Sequence, residues 1–145
     1  PGKSWDLTWN ASGIDLDCSK IGFIGMGAIA TEIIKRIRSL SSSCSIVYHV
    51  PEGIRCSFDE GAYQTYSVGM AHLLSTCDAI IPMVPLTPTT TGLINYSAFS
   101  VMKDSVLFIN MARGKVVDTM GLCRALREGL IRHAILDTTD PELLP

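Results

Sequence analysis

The spacing of apolar and polar positions changes several times along the chain, and each change predicts a new element. A short apolar run at Lys20–Ile24 predicts a buried strand that ends in glycines. Apolar side chains then recur at helical spacing as far as Leu40, with basic residues between them, which predicts an amphipathic helix. Three serines at 41–43 break this helix. The β-branched and aromatic run at 45–50 predicts a second strand, stopped by the proline that follows.

The rest of the chain continues this alternation of strands and helices. The further predicted strands lie at 62–66, 79–84, 105–110 and 133–137, and the further predicted helices lie at 70–75 and 119–129. Asp118 stands where it can cap the last helix. Alternating strands and helices predict an α/β fold with a doubly wound parallel sheet, covered on both faces. We expect one such domain at 19–145, after a lead-in segment at 1–18.

The turn after the first predicted strand is a G-x-G-x-x-A element at 25–30. In dinucleotide-binding units the first glycine makes the turn, the second lets the backbone approach the pyrophosphate, and a small third residue lets helix and strand pack. The helix N-terminus adds N–H groups and a favourable dipole for the phosphates. Glycine-rich turns also serve only for packing, but here strand, turn, helix and second strand occur together, which favours a Rossmann-type nucleotide-binding domain. The predicted cofactor contacts in this turn are Gly25, Gly27, Ala28 and Ile29.

The end of the second strand bears on the choice between NAD and NADP. An NAD site usually has Asp or Glu there, to accept hydrogen bonds from the ribose hydroxyls, whereas this sequence has Val50. The nearest acid is Glu52, and a cation at Arg55 could reach a 2′-phosphate. Alternatively, Glu52 and Arg55 are solvent-exposed surface residues that contact no cofactor. The cofactor is therefore NAD or NADP, and the sequence favours NADP. Val50 and Arg55 are predicted to lie in the cofactor site.

Composition and charge exclude several classes of partner. Hydrophobic residues make up 47% of the chain and charged residues 18%, as is typical of a globular domain. The formal net charge is -2 and the basic residues are scattered, so no nucleic-acid footprint is present. No apolar stretch approaches the roughly 18 residues that a membrane span needs. We therefore expect a small-molecule partner, and neither nucleic acid nor a membrane.

The five cysteines are an odd number, and no two of them form a C-x-x-C pair. This count and spacing argue against a disulfide framework and against a metal site, so we expect no metal. Free thiols and the lack of a visible targeting segment favour a cytoplasmic location. Because the chain starts at Pro1, a targeting signal upstream of it lies outside this prediction.

The second half of the chain carries several long motifs in order. They are DAIIPMVPLTPTTTGLIN at 78–95, MK at 102–103, FINMARGKVVD at 108–118, ALREG at 125–129 and LDTTDPE at 136–142. In this order and at this spacing they resemble the cofactor-binding domain of the D-isomer-specific 2-hydroxyacid dehydrogenases. The resemblance extends from about residue 17 to residue 145, and the last motif is most similar to the glyoxylate/hydroxypyruvate reductase branch.

The resemblance implies an NAD(P)-dependent oxidoreductase that interconverts a small 2-oxo acid and its 2-hydroxy acid. Arg113 is implied to hold the substrate carboxylate and polarise the keto oxygen, and Glu142 to orient a proton-donating histidine. None of the three histidines of the chain matches that histidine, so we expect it beyond Pro145 and expect the chain alone to be inactive. The further implied cofactor contacts are Pro85, Thr87, Met111, Ala112 and Asp137.

A second class of function stays open, namely a nucleotide-sensing or corepressor-like binding module, or a degenerate relative without catalysis. Arg113 and Glu142 favour the enzyme, because a pure binding module needs neither. Ala28, in place of an arginine common among relatives, leaves few phosphate contacts and favours the module. The resemblance also implies a homodimer formed through this domain and a separate substrate domain. That second domain would largely select the 2-oxo acid, so this sequence does not identify the acid.

Overall fold

The computed structural model describes residues 14–54, 56 and 63–141, and within them six parallel strands form one sheet. The strands are β1 Lys20–Ile24, β2 Ser45–His49, β3 Thr65–Ser67, β4 Ala79–Pro82, β5 Leu107–Asn110 and β6 His133–Leu136. The helices are α1 Ala28–Leu40, α2 Met70–Thr76, α3 Tyr96–Ser100 and α4 Thr119–Arg127.

The strand order is β3-β2-β1-β4-β5-β6, and every neighbouring pair is parallel. The chain moves outward from β1 through β2 and β3, then returns to the other side of β1 as β4. This is the doubly wound order of dinucleotide-binding domains, and it confirms the predicted Rossmann-type fold. Ligands of such sheets bind outside the carboxyl ends of the strands where the order reverses, here between β1 and β4.

Apolar side chains cover both faces of the sheet. On one face, buried Phe23 and Ile46 of the strands belong to one cluster with Ile34 of α1. On the other face, the strands pack against α2, α3 and α4, with Phe99 and Phe108 meeting edge to face at 5.2 Å between ring centroids. The central strands are apolar on both faces because both faces are covered, which explains their continuous hydrophobic runs.

Most predicted elements appear with ends shifted by one or two residues, which is the usual fraying of element boundaries. The weak strand predicted at 62–66 is an exception, because β3 starts only at Thr65. Gln64 just before it has φ 50°, so the chain turns there and cannot yet be extended. The sequence analysis also did not predict α3, since five residues are too few to show a helical period; Asn95 caps it by accepting a hydrogen bond from the Ala98 N–H at 3.1 Å.

The end of the lead-in segment is fastened to the domain. Of residues 1–18 the structure describes 14–18, in which Ile14 packs against the α1-side cluster and Leu16–Cys18 form a short 3-10 turn. The hydroxyls of Ser41 and Ser43 donate to Asp17 Oδ1 at 2.5 and 2.9 Å. These two bonds hold the pKa of the Asp17 carboxyl below its usual value. The last residues before β1 are therefore tied to the loop after α1.

The amino ends of the strands are held by a second carboxylate. Asp78 accepts hydrogen bonds from the Lys20 N–H and from Lys103 Nζ, each at 2.8 Å. Partial burial alone would raise the pKa of the Asp78 carboxyl, but the bonds from Lys103 and Lys20 outweigh it and lower that pKa. These two bonds tie the amino end of β1 to the residues just before β4 and β5.

Candidate cofactor and substrate site

The site begins at the turn between β1 and α1. Gly25 has φ +94°, and a Cβ there would lie 2.8 Å from Val84 Cγ1 and 3.0 Å from the backbone of Met83. Its N–H donates to the carbonyl of His49 at 2.7 Å. Only glycine fits this conformation and this space. The first glycine thus makes the predicted tight turn and brings together the ends of β1, β2 and β4.

The second glycine opens the turn to an incoming ligand. Among the described residues, no atom would lie within 4 Å of a Cβ on Gly27. Gly27 is the N-cap of α1 and no acidic residue lies in the first turn, so no described side chain caps the first N–H groups of the helix. Ala28 and Ile29 are exposed beside this opening, Ile29 to 68%. A free helix N-terminus at the reversal of strand order fits a pyrophosphate.

The second strand ends one residue earlier in the structure than the sequence predicted. β2 ends at His49, so the predicted strand at 45–50 is one residue too long, because the chain leaves the sheet for a turn at 51–54. Val50 is half-buried and packs against the apolar cluster on the α1 side. Glu52 is exposed in the turn. Arg55 lies outside the described residues, so its proposed contact with a 2′-phosphate stays a prediction.

The loop after β4 has its own internal support. Thr90 is fully buried, and its hydroxyl donates to the Pro85 carbonyl at 2.6 Å and accepts from the Thr87 N–H at 2.8 Å. Pro85 and Leu86 are exposed, and Thr87 is half-buried. Among the threonines of this loop, Thr90 therefore fixes the loop shape.

Asn110, the last residue of β5, anchors the loop that follows. It is 1% exposed; its Oδ1 accepts from the Ala112 N–H at 3.1 Å, and its Nδ2 donates to the carbonyls of Arg113 at 3.2 Å and Thr138 at 3.4 Å. Ala112 is buried and Met111 is exposed. The side chain of Asn110 thus ties the Arg113 loop to the chain leaving β6. The sequence analysis placed Asn110 only as a strand end.

Arg113 and Asp137 face a common cleft of about 400 Å³. Leu86 from the loop after β4 and Lys115 also line it. The guanidinium Nη1 of Arg113 donates to the Ala112 carbonyl at 2.7 Å, and none of the described carboxylates forms an ion pair with it. The exposed guanidinium therefore keeps donors for an anionic ligand.

Gly114 lets this loop approach the exit of β6. A Cβ on Gly114 would lie 2.3 Å from the carbonyl carbon and oxygen of Thr139 and 2.7 Å from the Asp140 N. These neighbours are backbone atoms, which cannot swing aside as a flexible side chain can. The position of Arg113 beside Asp137 thus depends on a residue without a side chain.

The predicted site residues within the described parts share one edge of the sheet. They follow the carboxyl ends of β1 (Gly25, Gly27, Ala28, Ile29), β2 (Val50), β4 (Pro85, Thr87), β5 (Met111, Ala112, Arg113) and β6 (Asp137). Parallel strands all end at the same edge, which is why residues far apart in sequence collect there. Glu142, the second predicted catalytic residue, lies outside the described residues.

Three further features of the described residues bear on the earlier expectations. No helix among them is long and apolar enough to cross a membrane. They contain no group of three or more His, Cys, Asp or Glu side chains placed to hold a metal ion. The five cysteines, all in described parts of the chain, are free thiols, and burial raises the pKa of the Cys77 thiol to about 11.

Comparisons with known proteins agree with this geometry. A family model described as "D-isomer specific 2-hydroxyacid dehydrogenase, NAD binding domain" matches residues 2–145. The chain is 40% identical over 129 residues to the dehydrogenase efuE of Hormonema carpetanum, which covers 87% of this chain and 32% of that protein. It is 36% identical over 143 residues to the glyoxylate reductase/hydroxypyruvate reductase of Homo sapiens, which covers 98% of this chain and 42% of that protein.

A solved structure gives the same result. The D-isomer specific 2-hydroxyacid dehydrogenase from Lactobacillus delbrueckii ssp. bulgaricus, in its NAD complexed form, matches with a TM-score of 0.80 at 26% identity. The match covers 94% of this chain and 40% of that one. The chain thus spans less than half the length of these relatives.

Proposed function

The chain belongs to the D-isomer-specific 2-hydroxyacid dehydrogenase family as its NAD-binding domain, and from this we propose that the protein containing it reduces a small 2-oxo acid to the 2-hydroxy acid. Glyoxylate and hydroxypyruvate are the proposed substrates, because the human relative carries both names at 36% identity. The observation that carries the proposal is the shared cleft of Arg113 and Asp137 at the carboxyl edge of the sheet. A module that only binds a nucleotide has no need for an exposed arginine in that place, and among the described residues this arginine forms no ion pair.

In this proposal the turn at 25–30 holds the pyrophosphate, the loop after β4 contacts the middle of the cofactor, and Asp137 contacts the nicotinamide half. The bound nicotinamide supplies a hydride for the keto carbon. Arg113 binds the substrate carboxylate and polarises the keto oxygen through its planar, two-pronged donor set. Its cation also stabilises negative charge as it develops on that oxygen. Asn110 and Gly114 act as positioning residues, because they set where Arg113 lies.

Several finer statements belong to the same proposal. Glu142 orients a proton-donating histidine that is not among the three of this chain, so the 145 residues alone would bind cofactor without turnover. The free thiols favour a reducing compartment such as the cytoplasm. The homodimer through this domain follows from the family resemblance. A preference for NADP rests on Val50 and Arg55.

The direct test is an assay of the complete protein with glyoxylate and with hydroxypyruvate. We expect oxidation of NADH or NADPH, followed at 340 nm, with kcat/KM above about 10⁴ M⁻¹ s⁻¹ for at least one acid. The 145-residue chain, assayed at the same concentration, should show no turnover. A complete, folded protein that binds nucleotide but reduces neither acid would contradict the enzyme and favour the binding module.

A further inference from the structure

His49 occupies the position at which an NAD site usually has a carboxylate. It is the last residue of β2, in register with Ile24 of β1, and its carbonyl accepts the N–H of Gly25 at 2.7 Å. Its side chain therefore leaves the backbone beside the first glycine of the cofactor turn. The acid that reads the ribose belongs at the end of this strand; His49 is the last residue paired with β1, whereas Val50 packs against the apolar cluster on the α1 side.

The hydrogen bond made by His49 fixes which ring nitrogen carries a proton. Nδ1 lies 3.0 Å from the carbonyl oxygen of Val68. A carbonyl oxygen only accepts, so Nδ1 is the donor, and Nε2 of the neutral ring is an unprotonated acceptor. The side chain is half-buried, and within the described parts of the chain Nε2 has no hydrogen-bond partner. The acceptor is thus oriented by the protein and left available.

We propose that His49 binds the 2′ position of the adenosine ribose and lets the chain accept either NAD or NADP. The neutral ring accepts a hydrogen bond from the 2′-hydroxyl of NAD at Nε2, as a carboxylate would. The protonated ring donates from both nitrogens, so Nε2–H pairs with the 2′-phosphate of NADP. The preference between the cofactors therefore follows the protonation of one side chain, and NADP binding takes up a proton from solution wherever the ring is neutral beforehand. This inference rests on the proposed function, since it requires the cofactor in the 25–30 turn.

Few other titratable groups face His49 from the described elements packed against it. β1 and β3 contribute Lys20 and Tyr66; Lys20 lies at the far, amino end of β1, and Tyr66 is exposed. His72 on α2 lies with its Nε2 3.4 Å from Lys20 Nζ, and so belongs to the Lys20 cluster. In the turn after β2, Glu52 is exposed. Among the described titratable groups of this region, Glu52 is the nearest to His49 in sequence. A change in its charge could also alter the cofactor preference with pH, so Glu52 supplies the matched control.

The test is calorimetric titration of the protein with NADH and NADPH at about pH 8 and about pH 6, the range in which histidine side chains change charge. We expect the preference for NADPH over NADH to increase about tenfold on going to the lower pH, because a neutral contact becomes a charged pair. A 2′-phosphate itself loses charge near about pH 6. The His49→Gln variant should therefore show a flat or opposite trend, and Glu52→Gln should keep the trend of the wild type.

Two further measurements separate the possible failures. His49→Asp should favour NADH at both pH values, because a carboxylate accepts the 2′-hydroxyl and repels the phosphate. In ¹⁵N-labelled protein, the Nε2 resonance of His49 should shift when NADH binds, because Nε2 contacts the ribose directly. A pH trend that survives in His49→Gln would overturn the inference while leaving the proposed function intact. Failure of both nucleotides to bind a folded protein would overturn both.

Discussion

Replacing Arg113 by glutamine is expected to lower kcat/KM for the 2-oxo acid by about 10³-fold in the complete protein. Enzymes lose activity on this scale when they lose one donor that stabilises a developing oxyanion. The dissociation constant for NADH should stay within about twofold of the wild type, because Arg113 lies on the substrate side of the proposed arrangement. Within the described residues its guanidinium bonds only to the Ala112 carbonyl, so the change removes no structural ion pair. Asn110 holds the loop independently of the Arg113 side chain.

Two variants make this prediction specific. Arg113→Lys keeps the charge but loses the planar pair of donors, so it should restore only part of the activity. Lys115→Gln removes a positive charge from the same cleft without removing the proposed substrate ligand, and should change kcat/KM by less than about tenfold. Steady-state kinetics over a range of 2-oxo acid concentrations measures all three. Equal losses of kcat/KM in Arg113→Gln and Lys115→Gln would contradict direct substrate binding by Arg113, because any positive charge in the cleft would then have the same effect.

The second large effect is expected from Gly114→Ala, which should lower the free energy of unfolding by about 3 kcal/mol. The added Cβ would stand 2.3 Å from the Thr139 carbonyl, and backbone would have to move on one side or the other. Movement would separate the Arg113 loop from Asp137, so the complete protein should also lose activity beyond its loss of stability. Urea denaturation measures the change through the midpoint at an unchanged slope.

Gly69→Ala is the matched control for this effect. A Cβ on Gly69 would meet no described atom within 4 Å, and its φ of -66° is open to any residue. Its free energy of unfolding should change by less than about 1 kcal/mol, the usual cost of placing alanine at a helix N-cap. If Gly114→Ala proved no more destabilising than Gly69→Ala, the close approach between the Arg113 loop and the exit of β6 would be wrong.

The fold was largely predictable because its signals are local. Buried parallel strands give continuous apolar runs, α1 gives a 3.6-residue period, and the glycine turn between them marks both boundaries. The sequence predicted a doubly wound sheet but no strand order, and the return from β3 to the far side of β1 as β4 is seen only in the structure. The misses are the elements with weak local signals. β3 has three residues after the turn at Gln64, and α3 has five residues.

Candidate site residues could be named from the sequence where a motif or the family resemblance marks them, and not where a contact does. The glycine turn was named from its motif and Arg113 from the resemblance, and both lie at the carboxyl edge. Asn110 was missed because its contact with the Thr138 carbonyl joins residues 28 apart in the chain. β2 ends at His49, one residue before the predicted end at Val50. Because alternate residues of a strand point to opposite faces, the role proposed for His49 depends on a strand end that the sequence pattern placed one residue later.

The most direct measurement of the central claim is calorimetric titration of NADH into the wild-type protein and into Gly27→Ala. A Cβ on Gly27 touches no described part of the chain, so the variant should fold as the wild type does and obstruct only the approach of the pyrophosphate. We predict one site per chain with a dissociation constant between about 1 μM and 1 mM, and at least about tenfold weaker binding by Gly27→Ala. A folded wild-type protein that binds no NADH, or equal binding by the variant, would contradict the assignment of this turn as the cofactor site.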